Sequence, residues 1–158
     1  MSSDHCTDFD FEFGRWRVIH RRLKQRLADC RDWETFEGTS ETRPVLGGNG
    51  NVEDQLLHIS TGSYRAIAVR SFDPATRAWA IWWLDSRAPH GLDVPVIGGF
   101  ADGVGTFLAD DTHEGRPIKL RFLWLNTHTD SPRWEQAMSA DGGQSWETNW
   151  TMDFARAD

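Results

Sequence analysis

A histidine and an arginine at alternate positions near the N-terminus are the residues best suited to chemistry. His20 and Arg22 share one face of a predicted strand with Trp16 and Val18, so both are expected to point inward. An inward histidine can bind a ligand carboxylate, act as a base or ligate a haem, and it can equally be a hydrogen-bonded core residue. The sequence leaves these alternatives open.

An inward Arg22 requires an acidic group nearby, because burying an unpaired charge is very costly. Two side chains are candidate partners: Asp85, which ends a tryptophan-rich strand, and Glu135 in the last hairpin. An anionic ligand is the third possibility. We therefore expect His20 and Arg22 to orient the polar or acidic end of a bound molecule.

Tryptophan is unusually common, with nine residues in a chain that has one tyrosine. Indoles supply large apolar area and one N–H donor each, which suits a core or a pocket wall for a flat or bulky apolar guest. Several tryptophans fall on predicted inward faces. The predicted ligand-binding residues are Trp16, His20, Arg22, Trp83, Asp85, Trp124, Trp134 and Trp150.

Strands must position these residues, because apolar and polar side chains alternate with period two along most of the chain and the links are short. In the last hairpin, Trp134, Trp146 and Trp150 are predicted on one inner face. About ten consecutive antiparallel strands usually form a barrel or a sandwich, here within one domain, 1–158. The predicted strands are 14–23, 33–43, 51–59, 64–72, 77–85, 94–101, 105–110, 117–126, 133–138 and 146–154.

Several segments between or within these strands have less decisive patterns. Residues 24–31 suit either a helical turn or a long hairpin loop, and residues 86–93 form the longest irregular connection and the predicted flexible loop. The two faces of strand 51–59 are nearly equal in polarity, so its inward face is undecided. Before the first strand, the phenylalanines of 8–13 are expected to plug one end of the core.

The charge balance argues against nucleic acid as a partner. Lys and Arg number 17 against 24 Asp and Glu, for a net charge of -7, and the basic run at 15–26 is interpreted as a solvated strand face. No apolar run approaches the roughly 20 residues that cross a bilayer, and the N-terminus lacks a leader pattern. We therefore expect a cytoplasmic protein that binds neither nucleic acid nor membrane.

Metal and cofactor sites are also not expected. The histidines at 5, 20, 58, 90, 113 and 128 have no metal-ligand spacing, and Cys6 and Cys30 suit reduced thiols of unassigned role. A nucleophile elbow, a phosphate loop and a dinucleotide fingerprint are all missing from the sequence. The prediction is a protein without metal or cofactor.

The N-terminal strand opens with Gly14-Arg15-Trp16, which resembles the Gly-x-Trp signature of the calycins, the lipocalins and fatty-acid-binding proteins. That resemblance implies that Trp16 closes one end of a barrel under an arginine from the far end of the chain, for which Arg156 is the candidate. The wider pattern of 9–23, 33–54, 70–85 and 133–150 resembles an uncharacterised bacterial family of calycin-like β-barrel proteins. It implies an all-β, closed antiparallel up-and-down barrel of about ten strands.

The chain also resembles haem-binding barrels and, in one turn, the Asp-box of sialidases. Haem-binding nitrobindins are similar barrels that use a histidine late in the chain, whereas the last two strands here have none and His128 falls in a predicted loop. Haem is therefore not expected. Residues 139–146 resemble the Asp-box of sialidases, but one copy cannot make a propeller, so we interpret it as a turn motif.

Three functions follow as hypotheses. The first is binding of a small apolar or aromatic ligand in the tryptophan-lined interior. The second is a cofactor-free enzyme of isomerase or cyclase type, in which His20 or an inward carboxylate moves a proton in the same pocket. The third is an interaction protein in which outer aromatics such as Trp82 form a homodimer surface.

Overall fold

Ten antiparallel strands form a closed barrel, which confirms the predicted fold class and is consistent with a calycin-like fold. The computed structural model describes residues 6–157, so His5 and the rest of the predicted N-terminal pattern in 1–5, together with Asp158, lie outside the described residues. The strands are β1 Gly14–Leu23, β2 Trp33–Val45, β3 Gly50–Ile59, β4 Gly62–Asp73, β5 Ala78–Asp85, β6 Val96–Ala101, β7 Val104–His113, β8 Arg116–Leu125, β9 Arg133–Ser139 and β10 Glu147–Arg156.

Each strand pairs with the next along the chain, and β1 closes the barrel against β10. The closing register sets Trp16 opposite Arg156 at one end and Arg22 opposite Trp150 at the other. Closure leaves no free sheet edge, so every strand can present one face to a common interior. It also brings His20 beside side chains from the far end of the sequence.

Period-two burial is clearest in β8, whose inward residues Ile118, Leu120, Phe122 and Trp124 are buried as predicted. In β5 the same alternation buries Trp79 and Ile81 and turns Trp82 to the outer surface. These strands lie between two environments, water outside and core inside, and their apolar residues follow the pleat.

The inward face of β3 is its more polar one, formed by Asn51, Glu53, Gln55 and Leu57. Hydrophobicity could not decide this orientation because Leu56 lies on the opposite face. The buried Arg70 of β4 decides it, since Arg70 is paired with Asn51 in the ladder and needs acidic and amide partners inside. A buried charge is tolerated only with such partners.

The prediction that Trp146 belongs to the inner face of the last strand is wrong. Strand β10 begins at Glu147, and a bulge between Thr148 and Trp150 changes the side-chain alternation, so that Asn149 and Trp150 are both buried. Trp146 lies outside, with the guanidinium of Arg121 4.4 Å from its ring centroid. Trp150 still faces inward.

The hairpin between β9 and β10 confirms that the Asp-box pattern is a turn motif. The carboxylate of Asp141 accepts hydrogen bonds from the backbone N–H groups of Gln144 at 3.0 Å and Ser145 at 2.9 Å, and from the Ser145 hydroxyl at 2.5 Å. The Ser145 contacts, with smaller help from Ser139, lower the pKa of Asp141 to about 2. Its polar groups hold the turn.

One end of the barrel is plugged by a short 3-10 helix, Asp10–Glu12, and by Phe9, which confirms the predicted plug. The Phe9 ring packs edge-on against Trp79, with centroids 4.8 Å apart. We call this end, with Trp16 and Trp124, the closed end of the barrel. The opposite end is the mouth.

Two connections cover the mouth, one of 24–32 and one of 86–95. The first is a loop without helix, which settles the alternatives for 24–31, and the backbone N–H of Leu27 donates to the Glu147 carboxylate at 2.7 Å. In the second, the N–H of Asp93 donates to the carbonyl of Trp83 at 3.1 Å. Within residues 6–157, none of the helices has the length and apolar character needed to span a bilayer.

Candidate functional site

A cavity of about 520 Å³ opens at the mouth of the barrel, and we call it the mouth cavity. Apolar side chains from β5, β8, β9 and β10 form its floor and walls, and charged side chains stand at its rim. The apolar lining is Ile81, Trp83, Leu120, Phe122, Trp134 and Trp150. The charged lining is Arg22, Arg26, Asp85, Arg87 and Asp93.

Three tryptophans, Trp83, Trp134 and Trp150, form what we call the tryptophan wall. Trp150 stands in the middle, edge to face with Trp83 at a centroid distance of 5.8 Å and with Trp134 at 5.3 Å. Phe122 extends the arrangement with its ring 4.9 Å from that of Trp134. Edge-to-face contacts of this kind are favourable for aromatic quadrupoles and hold the rings in fixed orientations.

Arg22 lines the cavity, and its partners are neither of the two acidic residues considered as candidates, Asp85 and Glu135. Its Nε donates to Glu34 Oε1 at 3.1 Å and its Nη1 donates to the Tyr64 hydroxyl at 2.9 Å. Glu34 is directly opposite Arg22 in the ladder of β1 and β2, which explains the pairing. The guanidinium also lies 4.9 Å from the Trp150 ring centroid, a cation–π contact that steadies the wall.

The two acidic residues considered for Arg22 have other partners. Asp85 lines the cavity and accepts from Arg87, with Nη2 to Oδ2 at 2.7 Å. Burial alone would raise the pKa of Asp85, but the hydrogen bonds from Arg87 lower it. Glu135 faces away from the cavity and accepts from Arg133 Nε at 2.8 Å.

His20 is buried behind the tryptophan wall and does not line the mouth cavity. Its Nδ1 accepts a hydrogen bond from the Trp150 Nε1–H at 3.0 Å, and its ring stacks on Phe36 at 4.5 Å. An acceptor at Nδ1 places the proton of the neutral ring on Nε2. Burial, with a smaller contribution from the Arg22 charge, lowers the pKa of His20 to about 3. His20 is therefore a neutral residue that positions Trp150.

Glycine at position 38 makes room for this histidine. A Cβ built on Gly38 would lie 3.2 Å from His20 Nε2 and would overlap the carbonyl oxygen of Leu56, which is the second and closer approach. The second distance is shorter than any real Cβ contact, so a larger residue would displace β3 as well as the ring.

Trp16 and Trp124 belong to the closed end and do not line the mouth cavity. The Nε1–H of Trp16 donates to the Glu12 carbonyl at 2.8 Å, and the Arg156 guanidinium covers its ring at 3.7 Å. This geometry confirms the arginine that the Gly-x-Trp resemblance implied. Trp124 borders a much smaller void of about 20 Å³ together with Phe154.

Sequence reasoning missed a buried polar cluster between the cavity and the closed end. Glu53 forms an ion pair with Arg70, and it also accepts from Ser40 Oγ at 2.6 Å and Gln55 Nε2 at 2.8 Å. Nη1 of Arg70 donates to Asn51 Oδ1 at 2.8 Å, and its buried Nε has no hydrogen-bond partner among the described residues. The signal was an arginine on the inward face of β4, which is otherwise formed by Tyr64, Ala66, Ala68 and Phe72.

Glu12 lies above this cluster and is fully buried. Within residues 6–157, neither of its carboxylate oxygens has a hydrogen-bond partner. Burial, and then the nearby charge of Glu53, raise the pKa of Glu12 well above its usual range. The side chain is therefore held as a neutral acid under the plug.

Replacing Glu12 by glutamine is expected to stabilise the protein more at about pH 8 than at about pH 5. The unfolded chain loses the Glu12 proton at a lower pH than the folded protein does, so wild-type stability falls as pH rises above 4.5 toward the raised pKa. The glutamine variant has no such loss. Melting temperatures of both proteins at the two pH values measure the difference.

The matched control is Glu41→Gln, which removes a carboxylate that is half exposed and faces Arg15 on the surface. Its melting temperature should follow that of the wild type at both pH values. An equal shift for Glu12→Gln at both pH values would contradict a neutral, buried Glu12.

No protein-family model matches the chain, and no curated protein matches it either. Function must therefore be argued from the mouth cavity and its lining. Within the described residues, no group of three or more His, Cys, Asp and Glu side chains is placed to hold a metal ion.

Proposed function

We propose that the protein binds a small apolar or aromatic molecule in the mouth cavity, against the tryptophan wall. The observation that carries the proposal is a cavity of about 520 Å³ lined by Trp83, Trp134 and Trp150. Its volume falls in the range of about 300 to 1,000 Å³ typical of small-molecule sites. Concave, mostly apolar pockets with a few polar groups at the rim are the usual form of such sites.

The tryptophan wall supports a flat guest in particular. Its rings are held by one another, by His20 and by Arg22, so little side-chain freedom is lost when a ligand packs on them. A guest that buries roughly 200 Å² of apolar surface gains roughly 5 kcal/mol at about 25 cal/mol per Å². That gain alone corresponds to a dissociation constant of about 0.2 mM, and the cost of association weakens binding further, so dissociation constants of about a millimolar are expected.

Under this proposal His20 and Arg22 have different roles. Arg22 faces the cavity and can contact a polar end of the ligand directly. His20 acts through Trp150, whose indole it holds by a hydrogen bond. A ligand could contact Trp16 and Trp124 only by reaching the closed end of the barrel. The void beside Trp124 is too small to admit it.

The experiment is a titration with N-phenyl-1-naphthylamine, a neutral aromatic dye whose emission rises in apolar sites. Trp83→Leu is expected to weaken dye binding about tenfold, because the loss of one stacking ring costs about 1.4 kcal/mol. Trp82→Leu is the control: it removes the neighbouring indole, which faces outward, and should leave the dissociation constant within about twofold.

Two results would overturn the proposal. One is a wild-type protein that leaves the dye emission unchanged at saturating protein concentration. The other is a loss of binding in Trp82→Leu that equals the loss in Trp83→Leu, since the dye would then sit on the outer surface. Loss in Trp83→Leu alone supports the cavity.

The two alternative functions keep some support. An enzyme of isomerase or cyclase type would have to use a carboxylate at the rim, because His20 is hidden from the cavity. A homodimer would use the outer face, where Trp82 neighbours the exposed cross-strand pair of Ile97 and Leu108. Membership in the bacterial calycin-like family also remains a proposal, supported by the barrel and by Arg156 over Trp16. A cytoplasmic location is a separate proposal that rests on the sequence pattern.

A further inference from the structure

Most polar groups around the mouth cavity already have partners. Arg22 is paired with Glu34, and Arg87 is paired with Asp85. The Gln136 amide, which also lines the cavity, donates to Asn149 Oδ1 at 2.8 Å. These groups line or surround the cavity, but their charges and hydrogen-bonding groups are already paired within the protein.

Arg26 and Asp93 are the exceptions. Both line the mouth cavity, Arg26 from the 24–32 connection and Asp93 from the 86–95 connection. Within residues 6–157, neither side chain makes a hydrogen bond, and no ion pair within 4.0 Å joins the two. A cation and an anion thus face one cavity from separate loops, and in the described part of the chain neither has a hydrogen-bond partner or an ion-pair partner within 4.0 Å.

Partial burial disfavours both charges, and the attraction between Arg26 and Asp93 offsets only part of that cost. Burial, and then the charge of Arg22, lower the pKa of Arg26. Burial, and then the nearby carboxylates of Asp111 and Asp85, raise the pKa of Asp93. A ligand cation beside Asp93 and a ligand anion beside Arg26 would relieve both costs.

The charges at the mouth favour a ligand with both signs. The mouth carries charges of both signs: the guanidinium groups of Arg22, Arg26 and Arg87 stand among the carboxylates of Glu34, Asp85 and Asp93, and Asp111 lies near Asp93. A simple anion could bind Arg26 but would be repelled by Asp93. A simple cation could bind Asp93 but would be repelled by Arg26. Only a molecule that carries both groups satisfies both ends.

We propose that the ligand is a small aromatic zwitterion of the amino-acid type. Its ring packs on the tryptophan wall, its carboxylate binds the Arg26 guanidinium, and its ammonium binds the Asp93 carboxylate. This rests on the proposed function, since the ring must occupy the mouth cavity. The backbone bond from Asp93 N–H to the Trp83 carbonyl at 3.1 Å ties the ammonium site to the wall.

Four probes that share one ring system separate the contributions. L-tryptophan carries both charges, indole-3-propionate only the anion, tryptamine only the cation and 3-methylindole neither. Calorimetric titration near neutral pH is expected to rank L-tryptophan first by about tenfold over either singly charged probe, because its second charge-assisted contact adds about 1.4 kcal/mol after desolvation. All four probes place the same indole ring on the tryptophan wall, so the differences in affinity report mainly on the side-chain charges.

Two loop variants assign the charges. Arg26→Gln should reduce L-tryptophan binding to the tryptamine level, and Asp93→Asn should reduce it to the indole-3-propionate level. Arg26→Lys should recover part of the loss. Binding of 3-methylindole should stay within about twofold in all variants, since a neutral ring gains nothing from either charge.

The failures are distinguishable. If all four probes bind equally and the variants change nothing, the zwitterion is ruled out while ligand binding in the cavity stands. If indole-3-propionate binds as tightly as L-tryptophan, Asp93 is no ammonium site and the inference is wrong. If none of the probes binds, the inference falls, and the dye titration decides separately whether the cavity binds any aromatic molecule.

Discussion

Replacing Arg70 by methionine is expected to lower the free energy of unfolding by about 3 to 5 kcal/mol. The side chain is 3% exposed and its ion-pair partner Glu53 is 1% exposed, so the variant would leave a carboxylate buried without its cation. Glu53 would keep only Ser40 and Gln55 as donors. The guanidinium also packs on Phe9 at 4.8 Å, a contact that methionine replaces in part.

The double variant Glu53→Gln/Arg70→Met should recover much of this loss, because it removes both charges from the interior. Urea unfolding curves measure the effect, with the midpoint lowered and the slope unchanged. The control is Arg65→Met on the outer faces of the same two strands, where Arg65 and Asp54 are 3.9 Å apart and more than half exposed. That pair should contribute less than about 1 kcal/mol.

A double variant as unstable as Arg70→Met alone would contradict the account of the cluster. It would mean that packing around the guanidinium, rather than the unpaired Glu53 charge, determines the cost. A loss in Arg65→Met equal to that in Arg70→Met would also contradict it.

His20 is expected to make the protein acid-sensitive below its usual pKa. The pKa of His20 is 6.5 in an ordinary environment and about 3 in the folded protein, so between these values the unfolded chain binds a proton that the folded protein does not. Stability must therefore fall as pH falls through this window, by as much as about 5 kcal/mol across the whole of it. At about pH 4.5 the loss is about 3 kcal/mol.

The variant His20→Gln removes this dependence, although it also lowers stability at neutral pH by disturbing Trp150. The informative quantity is the slope of unfolding free energy against pH between about pH 6.5 and about pH 4.5, which should be smaller in the variant. His58→Gln is the control, because His58 is exposed and bonded only to Ser63. Equal slopes in wild type and His20→Gln would show that His20 is not held neutral.

The barrel was predictable from period-two patterning, and the reason is visible in β8. Ile118, Leu120, Phe122 and Trp124 recur at every second position and are buried, because that strand divides core from water. Strand β3 was not predictable in the same way, since its inward face is set by a charged partner on β4. Hydrophobic pattern alone carries no information about which arginine is buried.

The candidate site was predictable only where strands supply it. Trp83, Trp134 and Trp150 line the mouth cavity because they lie on inward faces near one end of the barrel. Their role as ligand contacts remains a prediction. Arg26 and Asp93 lie on connections, where no periodicity reports side-chain direction, so sequence reasoning could not bring them together.

The bulge in β10 shows a further limit. Alternation counted back from Phe154 through Trp150 places Trp146 inside, but one extra residue after Thr148 breaks the count. A bulge of this kind leaves little signal in a single sequence.

The most direct test of ligand binding at the mouth is a crystal structure of the protein grown with 5-bromoindole, with data collected at the bromine absorption edge. The account predicts an anomalous peak inside the mouth cavity, next to the rings of Trp83 and Trp134. Bromine only on the outer face beside Trp82, or at no position within the barrel, would contradict it.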